Sequence, residues 1–227
     1  MRFHATLLTA WILASILAST ACGTRDSASG RPPANSPFGI LYAKNCAGCH
    51  GRDGKGSAAV GLGNPVYLAL ADDATIRRVT ANGVPGTAMP AFAQQSGGLL
   101  TDEQVNAIVR GIRAWSTPDA LDGADPPPYA APVPGDPKRG EAAFAVYCSS
   151  CHGAGGRGGG RAGAIVDRSY LALVSDQGLR THVIVGRPEL GAPDWRGDVL
   201  GKPMSPEDIT DVVAWLTANR QPKGGIQ

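Results

Sequence analysis

Two short motifs contain most of the residues in this sequence that could hold a cofactor. Both follow the pattern C-x-x-C-H: "CAGCH" begins at Cys46 and "CSSCH" begins at Cys148. In such a motif the two thiols can form thioethers with the vinyl groups on one edge of a haem, and the imidazole that follows can bind the iron. The sequence therefore predicts two covalently attached haem c groups. Their protein ligands would be Cys46, Cys49 and His50 in the first motif, and Cys148, Cys151 and His152 in the second.

Two other kinds of site use closely spaced cysteines, and neither accounts for both motifs. A zinc site would need further ligands at fixed spacing, and a thioredoxin-like redox pair would need a βαβ unit around it. Neither explains why a histidine directly follows each cysteine pair. Covalent haem attachment remains the interpretation that uses all six residues.

The overall composition limits the classes of partner. With 21 basic and 19 acidic residues the net charge is only +2, and the sequence has no basic tract, so we expect no nucleic acid partner. The 31 glycines and 18 prolines indicate a loop-rich chain. Small domains of this kind usually need a disulfide, a metal or a cofactor to stabilise them.

The N-terminal region predicts an exported protein. Residues 1–21 combine a short polar start with an apolar run, which is typical of a signal peptide and too short to span a bilayer. The "ASTAC" that ends at Cys22 is similar to a bacterial lipoprotein box, so we expect a lipid on Cys22; the alternative is ordinary cleavage after a small residue. Residues 22–37 would form a polar tether. The expected location is the periplasmic side, with a lipid anchor in a membrane.

The two motifs lie in two copies of one longer pattern. "YLAL" follows the first motif at Tyr67 and returns at Tyr170, and Gly83 returns as Gly186, at a nearly constant offset. A proline-rich linker, residues 116–137, separates the copies, and its prolines favour extended backbone without a core. We call residues 38–115 the first segment and residues 138–220 the second segment. The repetition predicts one fold, duplicated.

Each segment ends in a predicted amphipathic helix. The first of these starts with Thr101 and Gln104 in capping-box spacing, and the second starts with Ser205 followed by Pro206. Apolar residues then recur on one helical face. They are Val105, Ile108, Val109 and Ile112 in the first helix, and Ile209, Val212, Val213 and Leu216 in the second. No alternating strand pattern is present, so we predict an all-α fold.

Each segment resembles a class I c-type cytochrome domain. The features that carry this resemblance are a helix that runs into C-x-x-C-H-G, a glycine-rich loop, a middle helix that ends at glycine, and a last amphipathic helix. The resemblance implies two tandem cytochrome c-like helical domains, each around a covalent haem. It also implies that Met89, in "GTAMPAF", is the distal iron ligand opposite His50. Ligation by histidine and methionine raises the haem potential and fills both axial positions.

The second segment has Ala192 where the repeat places Met89. An alanine cannot bind iron, so the distal position of the second haem needs another explanation. Our leading candidate is Met204, although this residue could instead pack as a hydrophobic staple before the last helix. The alternatives are His182, which aligns with Val79, and an iron without a protein ligand on that side. In each case the two haems differ.

These expectations converge on electron transfer. The leading interpretation is a dihaem electron carrier that passes single electrons between membrane respiratory complexes, with redox proteins as partners. One alternative is a haem enzyme or sensor that binds a small ligand at an open second haem. The other is an accessory subunit of a larger respiratory complex.

Overall fold

The computed structural model describes residues 31–197 and 202–220. The predicted signal peptide, Cys22 and the start of the tether lie outside these residues. Within them the chain is all-helical, as predicted: it has ten α-helices and three short 3₁₀ helices, and it has no strand. None of the described helices is both long enough and apolar enough to cross a membrane.

The two segments have the same order of α-helices. The helices of the first segment are α1 (Pro37–Asn45), α2 (Ala47–His50), α3 (Pro65–Leu70), α4 (Asp73–Asn82) and α5 (Asp102–Arg113). Those of the second are α6 (Pro137–Tyr147), α7 (Ser149–His152), α8 (Arg168–Leu173), α9 (Asp176–Val185) and α10 (Pro206–Ala218). The 3₁₀ helices are Gln94–Ser96, Ala154–Gly156 and Pro188–Leu190.

The last helix of each segment begins where the sequence predicts. The side chain of Thr101 accepts a hydrogen bond from the backbone N–H of Gln104, whose side chain accepts one from the N–H of Thr101, so the capping box is confirmed. Ser205 and Asp208 form the same arrangement at α10. All eight apolar residues predicted for the two faces are buried. Burial of these faces fixes the last helices against the rest of each segment.

Each last helix packs against the first helix of its own segment. On α5, Gly111 lets the helix approach the ring of Phe38, because a Cβ there would lie 2.0 Å from a ring carbon. On α6, Gly140 faces the backbone of α10, where a Cβ would lie 1.9 Å from the carbonyl oxygen of Asp211. The two helix pairs therefore cross at glycines, at distances that a larger residue would prevent.

An arginine joins the end of each last helix to the middle of its segment. Arg113 ends α5 and Arg220 follows α10. Each guanidinium donates hydrogen bonds to two backbone carbonyls. It also donates to an aspartate in the first turn of α4 in the first segment, or of α9 in the second. The acceptors are Leu68, Ala71 and Asp73 in the first segment, and Leu171, Val174 and Asp176 in the second.

The proline-rich linker packs on the second segment through a buried arginine. Only 2% of Arg180 is exposed, and its guanidinium donates to the carbonyl oxygens of Pro128 and Tyr129 and to the hydroxyl of Thr210. Burial lowers the pKa of Arg180. Pro127 is fully buried as well. Residues 118–123 of the linker form turns, in which the N–H of Asp122 donates to the carbonyl of Asp119, so this part is not extended as its prolines led us to expect. The linker also lies against a core, which we did not predict.

Candidate haem sites

A single helical turn gathers the reactive residues of each motif. In the first segment α1 ends at Asn45, Cys46 caps α2, and α2 ends at His50. Cys46 is buried and Cys49 is exposed. Burial, and next the charge of Cys49, raises the pKa of Cys46 to about 11, so this residue is a protonated thiol at neutral pH. In the second segment Cys148 caps α7 (Ser149–His152) in the same way.

The histidines of the two motifs are oriented by matching hydrogen bonds. Nδ1 of His50 lies 2.8 Å from the carbonyl oxygen of Val60, and Nδ1 of His152 lies 3.0 Å from that of Gly163. Because a carbonyl only accepts hydrogen bonds, each Nδ1 carries the proton and each Nε2 keeps its lone pair. A ring held in this way is prepared to bind a metal through Nε2.

The environment of His50 fits an iron ligand. Its Nε2 is buried and has no hydrogen-bond partner among the described residues. Burial lowers the pKa of His50, although the hydrogen bond to Val60 partly opposes this shift, so the ring is neutral at pH 7. A neutral imidazole with a buried, unpartnered lone pair is the donor that haem iron takes from a protein.

A glycine follows each motif because the chain turns back at that point. Gly51 and Gly153 have φ angles of 79° and 72°, in the left-handed region that favours glycine. The turn lets the N–H of Gly56 donate to the carbonyl of His50 and the N–H of Gly158 donate to that of His152. In both segments, the loop whose carbonyl orients the histidine is thus folded back over that histidine.

The loop of Met89 and the loop of Ala192 have the same backbone arrangement. The N–H of Val84 donates to the carbonyl of Met89 at 2.9 Å, and the N–H of Arg187 donates to that of Ala192 at 3.0 Å. Ala192 therefore stands at the position of Met89, as the sequence alignment predicts. The second segment offers a methyl group where the first offers a thioether.

Met204 occupies the position of Leu100. The N–H of Met204 donates to the carbonyl of Trp195, and the N–H of Leu100 donates to that of Phe92, both at 2.8 Å. Their exposed fractions are also similar, at 7% and 5%. This placement favours a packing role for Met204, which is one of the alternatives that the sequence left open.

His182 lies on α9, and both of its ring nitrogens are buried. The carbonyl of Val185, at the end of the same helix, accepts a hydrogen bond from the side chain of Asn64 in the first segment. The guanidinium of Arg187 donates to the carbonyl of Ser57, in the loop that follows His50. Sequence reasoning did not identify Asn64 or Arg187, because their acceptors are backbone carbonyls in the other segment.

Comparison with known proteins decides the family. A family model described as "Cytochrome C oxidase, cbb3-type, subunit III" matches residues 38–110 and 135–216, which together make up more than half of the chain. The chain belongs to this family of c-type cytochromes. A c-type cytochrome holds its haem covalently and uses it for electron transfer, and the residues of the C-x-x-C-H motifs fit this attachment. No curated protein matches the cytochrome significantly.

Several solved structures are similar to this cytochrome. Dihydro-heme d1 dehydrogenase NirN in complex with DHE is 28% identical over 42% of the cytochrome and 18% of its own chain, with a TM-score of 0.32. The Kuenenia stuttgartiensis reducing HAO-like protein complex Kustc0457/Kustc0458 is 18% identical over 82% and 96%, with a TM-score of 0.44. Thiosulfate dehydrogenase (TsdBA) from Marichromatium purpuratum is 19% identical over 85% and 48%, with a TM-score of 0.34.

Replacing Met204 with leucine tests its role in the cytochrome. Leucine is the residue that the first segment uses at this position, so Met204→Leu keeps an apolar side chain of similar volume and should change the free energy of unfolding by less than about 1.5 kcal/mol. If Met204 only packs, the visible spectrum and both midpoint potentials stay the same. Loss of low-spin character in half of the haem would instead identify the sulfur as the distal ligand of the second iron.

Proposed function

We propose that this c-type cytochrome carries two haems and passes single electrons between membrane respiratory complexes on the periplasmic side. The observation that carries the proposal is the matched pair of motif turns. In both segments one motif cysteine caps a helical turn and the other lies within it, and the histidine at its end donates from Nδ1 to a loop carbonyl. Two equivalent frames for covalent haem in one chain suit a two-centre electron carrier.

The first haem would be held by Cys46, Cys49, His50 and Met89. When bound, haem supplies the redox-active iron, and the protein sets its potential and orientation. Here the carbonyl of Val60 fixes the ring of His50, and burial keeps that ring neutral. The loop hydrogen bond from Val84 to Met89 supports the backbone of the proposed distal ligand. Two axial protein ligands favour outer-sphere electron transfer over the binding of a substrate.

The second haem would be held by Cys148, Cys151 and His152. Its distal side differs because Ala192 stands in place of Met89, so the two haems would have different potentials. Unequal potentials in one chain suit directional transfer between two partners. The partners would be redox proteins or a respiratory complex, and a lipid on Cys22 would keep the cytochrome at the membrane surface where those partners lie.

One observation favours a second candidate function. Ala192 cannot bind iron, and Met204 lies at the packing position that Leu100 occupies in the first segment. These two placements support a second haem with an accessible iron. In that case the second segment would bind a small ligand as an enzyme or sensor, and the first haem would exchange electrons with it.

A redox titration combined with carbon monoxide tests both candidates. We expect two resolved midpoint potentials, each with about half of the haem absorbance, because the two distal sides differ. A single midpoint that accounts for all the haem would contradict the proposal. Carbon monoxide added to the reduced protein should leave the bands unchanged if both irons have two protein ligands. A shift in about half of the haem would establish the second candidate.

A further inference from the structure

The imidazole of His182 has unusual surroundings. Both of its ring nitrogens are buried, and neither has a hydrogen-bond partner among the residues that the structure describes. A neutral imidazole always presents one N–H donor and one lone pair, and burying both without partners is unfavourable. The side chain therefore fits a position where a bound group supplies the missing partner.

The surroundings of His182 include the first segment as well as its own. Three hydrogen bonds join the two segments near α9. They run from the Asn64 side chain to the carbonyl of Val185 at 3.2 Å, from Arg187 to the carbonyl of Ser57 at 2.6 Å, and from the Ala88 N–H to the carbonyl of Leu173 at 3.3 Å. Ser57 belongs to the loop that follows His50, and Ala88 directly precedes Met89. The C-terminal end of α9 thus lies beside the loop that follows His50, and the end of α8, at Leu173, contacts the loop of Met89.

The electrostatics agree with this placement. Burial is the main reason that the pKa of His182 falls to about 4, and the positive charge of Arg187 lowers it further. Glu189 opposes these effects, and the charge of His50 adds a smaller decrease. His182 is consequently neutral at pH 7, which leaves it one donor and one acceptor.

We propose that His182, contributed by the second segment, is a haem-contacting residue of the first haem site. This inference rests on the proposed function, because it requires a haem on Cys46 and Cys49. Because His50 and Met89 would fill both axial positions of that iron, the partner that the haem offers to a neutral imidazole is a propionate oxygen, which accepts from its N–H. The first haem site would then be built from both segments, so the second segment would influence the potential of the first haem directly.

The proposal differs from the sequence-based alternative for the same residue. On sequence, His182 aligns with Val79 and is a candidate ligand for the second haem. The structure brings the C-terminal end of α9 to the loop that contains Ser57, and among the described residues no hydrogen bond joins α9 to the loop after His152. The two assignments predict changes in different haems, so they can be separated.

Two substitutions test the assignment in the full-length, haem-loaded protein. His182→Val introduces the residue that the first segment has at the equivalent position, and His182→Gln keeps an N–H donor. We expect His182→Val to shift the midpoint potential of the first haem and the methyl resonance of its methionine ligand, and to leave the second haem unchanged. His182→Gln should produce a smaller shift of the same sign.

Other results would overturn the assignment. A change in the spectrum or potential of the second haem alone would place His182 in that site, and unchanged values for both haems would leave it a packing residue of the interface. If His182→Val does not fold, the midpoint potential of the first haem can still be compared between His182→Gln and the parent protein. Haem staining of the parent under denaturing conditions comes first: its failure would contradict the proposed function, whereas a stained parent with an unshifted first haem contradicts only this inference.

Discussion

Replacing both Cys46 and Cys49 with serine is expected to remove about half of the haem that survives denaturation. Serine cannot form a thioether, so only the haem on Cys148 and Cys151 would remain covalently attached. Denaturing electrophoresis with haem staining measures the effect, and the haem content per chain quantifies it. The matched control is the Cys148→Ser, Cys151→Ser variant, which should lose the other half.

The four-serine variant completes this test. It should retain no haem after denaturation, because both sets of thioethers are gone. Full staining of this variant, or loss of all stain from the unmodified protein, would refute covalent attachment at these motifs. We also expect each two-serine variant to unfold at lower denaturant concentration than the parent, since small loop-rich domains depend on such a covalent staple.

Replacing Met89 with alanine is expected to have the second large effect. If Met89 is the distal ligand, Met89→Ala opens the first iron, so carbon monoxide binds to it and its midpoint potential falls. The size of the fall lies within the roughly 0.8 V over which axial ligands set haem potentials. A redox titration and a carbon monoxide difference spectrum report both changes.

The repeat supplies the control for Met89. Ala192→Met places a thioether at the matching loop position of the second segment, where the hydrogen bond from Arg187 already holds the backbone as Val84 holds that of Met89. If the second iron is open, this change should give it low-spin character and raise its potential. An unchanged first haem in Met89→Ala would remove Met89 from the site and contradict the cytochrome resemblance at that position.

Features governed by nearby residues could be predicted from the sequence. The cap at Thr101 and Gln104 depends on residues three positions apart, and the apolar faces of α5 and α10 follow from helical periodicity. The motif cysteines are equally local, because thioether attachment needs only their spacing. The assignment of Met89 as distal ligand came instead from the resemblance to class I c-type cytochromes, and it stays a prediction.

Features that depend on backbone acceptors far along the chain could not be predicted. Arg113 and Arg220 donate to carbonyls more than forty residues away. Because every residue has a backbone carbonyl, the residue types in a sequence do not show which one accepts. The contact between Arg187 and the carbonyl of Ser57 could not be predicted for the same reason. Met204 shows a different limit: the sequence already aligned it with Leu100, but a methionine also has the right chemistry for a ligand. The backbone pairing with Trp195 is what favours the packing role.

The docking of the linker on Arg180 determines where the protein can be divided. A fragment that starts at residue 138 would remove the carbonyls of Pro128 and Tyr129 and leave a buried guanidinium short of acceptors, at a cost of at least about 1–3 kcal/mol. A fragment designed to contain the second C-x-x-C-H motif should therefore begin before Pro127, not at the helix that leads into the motif. For gene dissection or grafting onto another protein, the boundary should also keep Leu121 and Ala124, which are partly buried against the core.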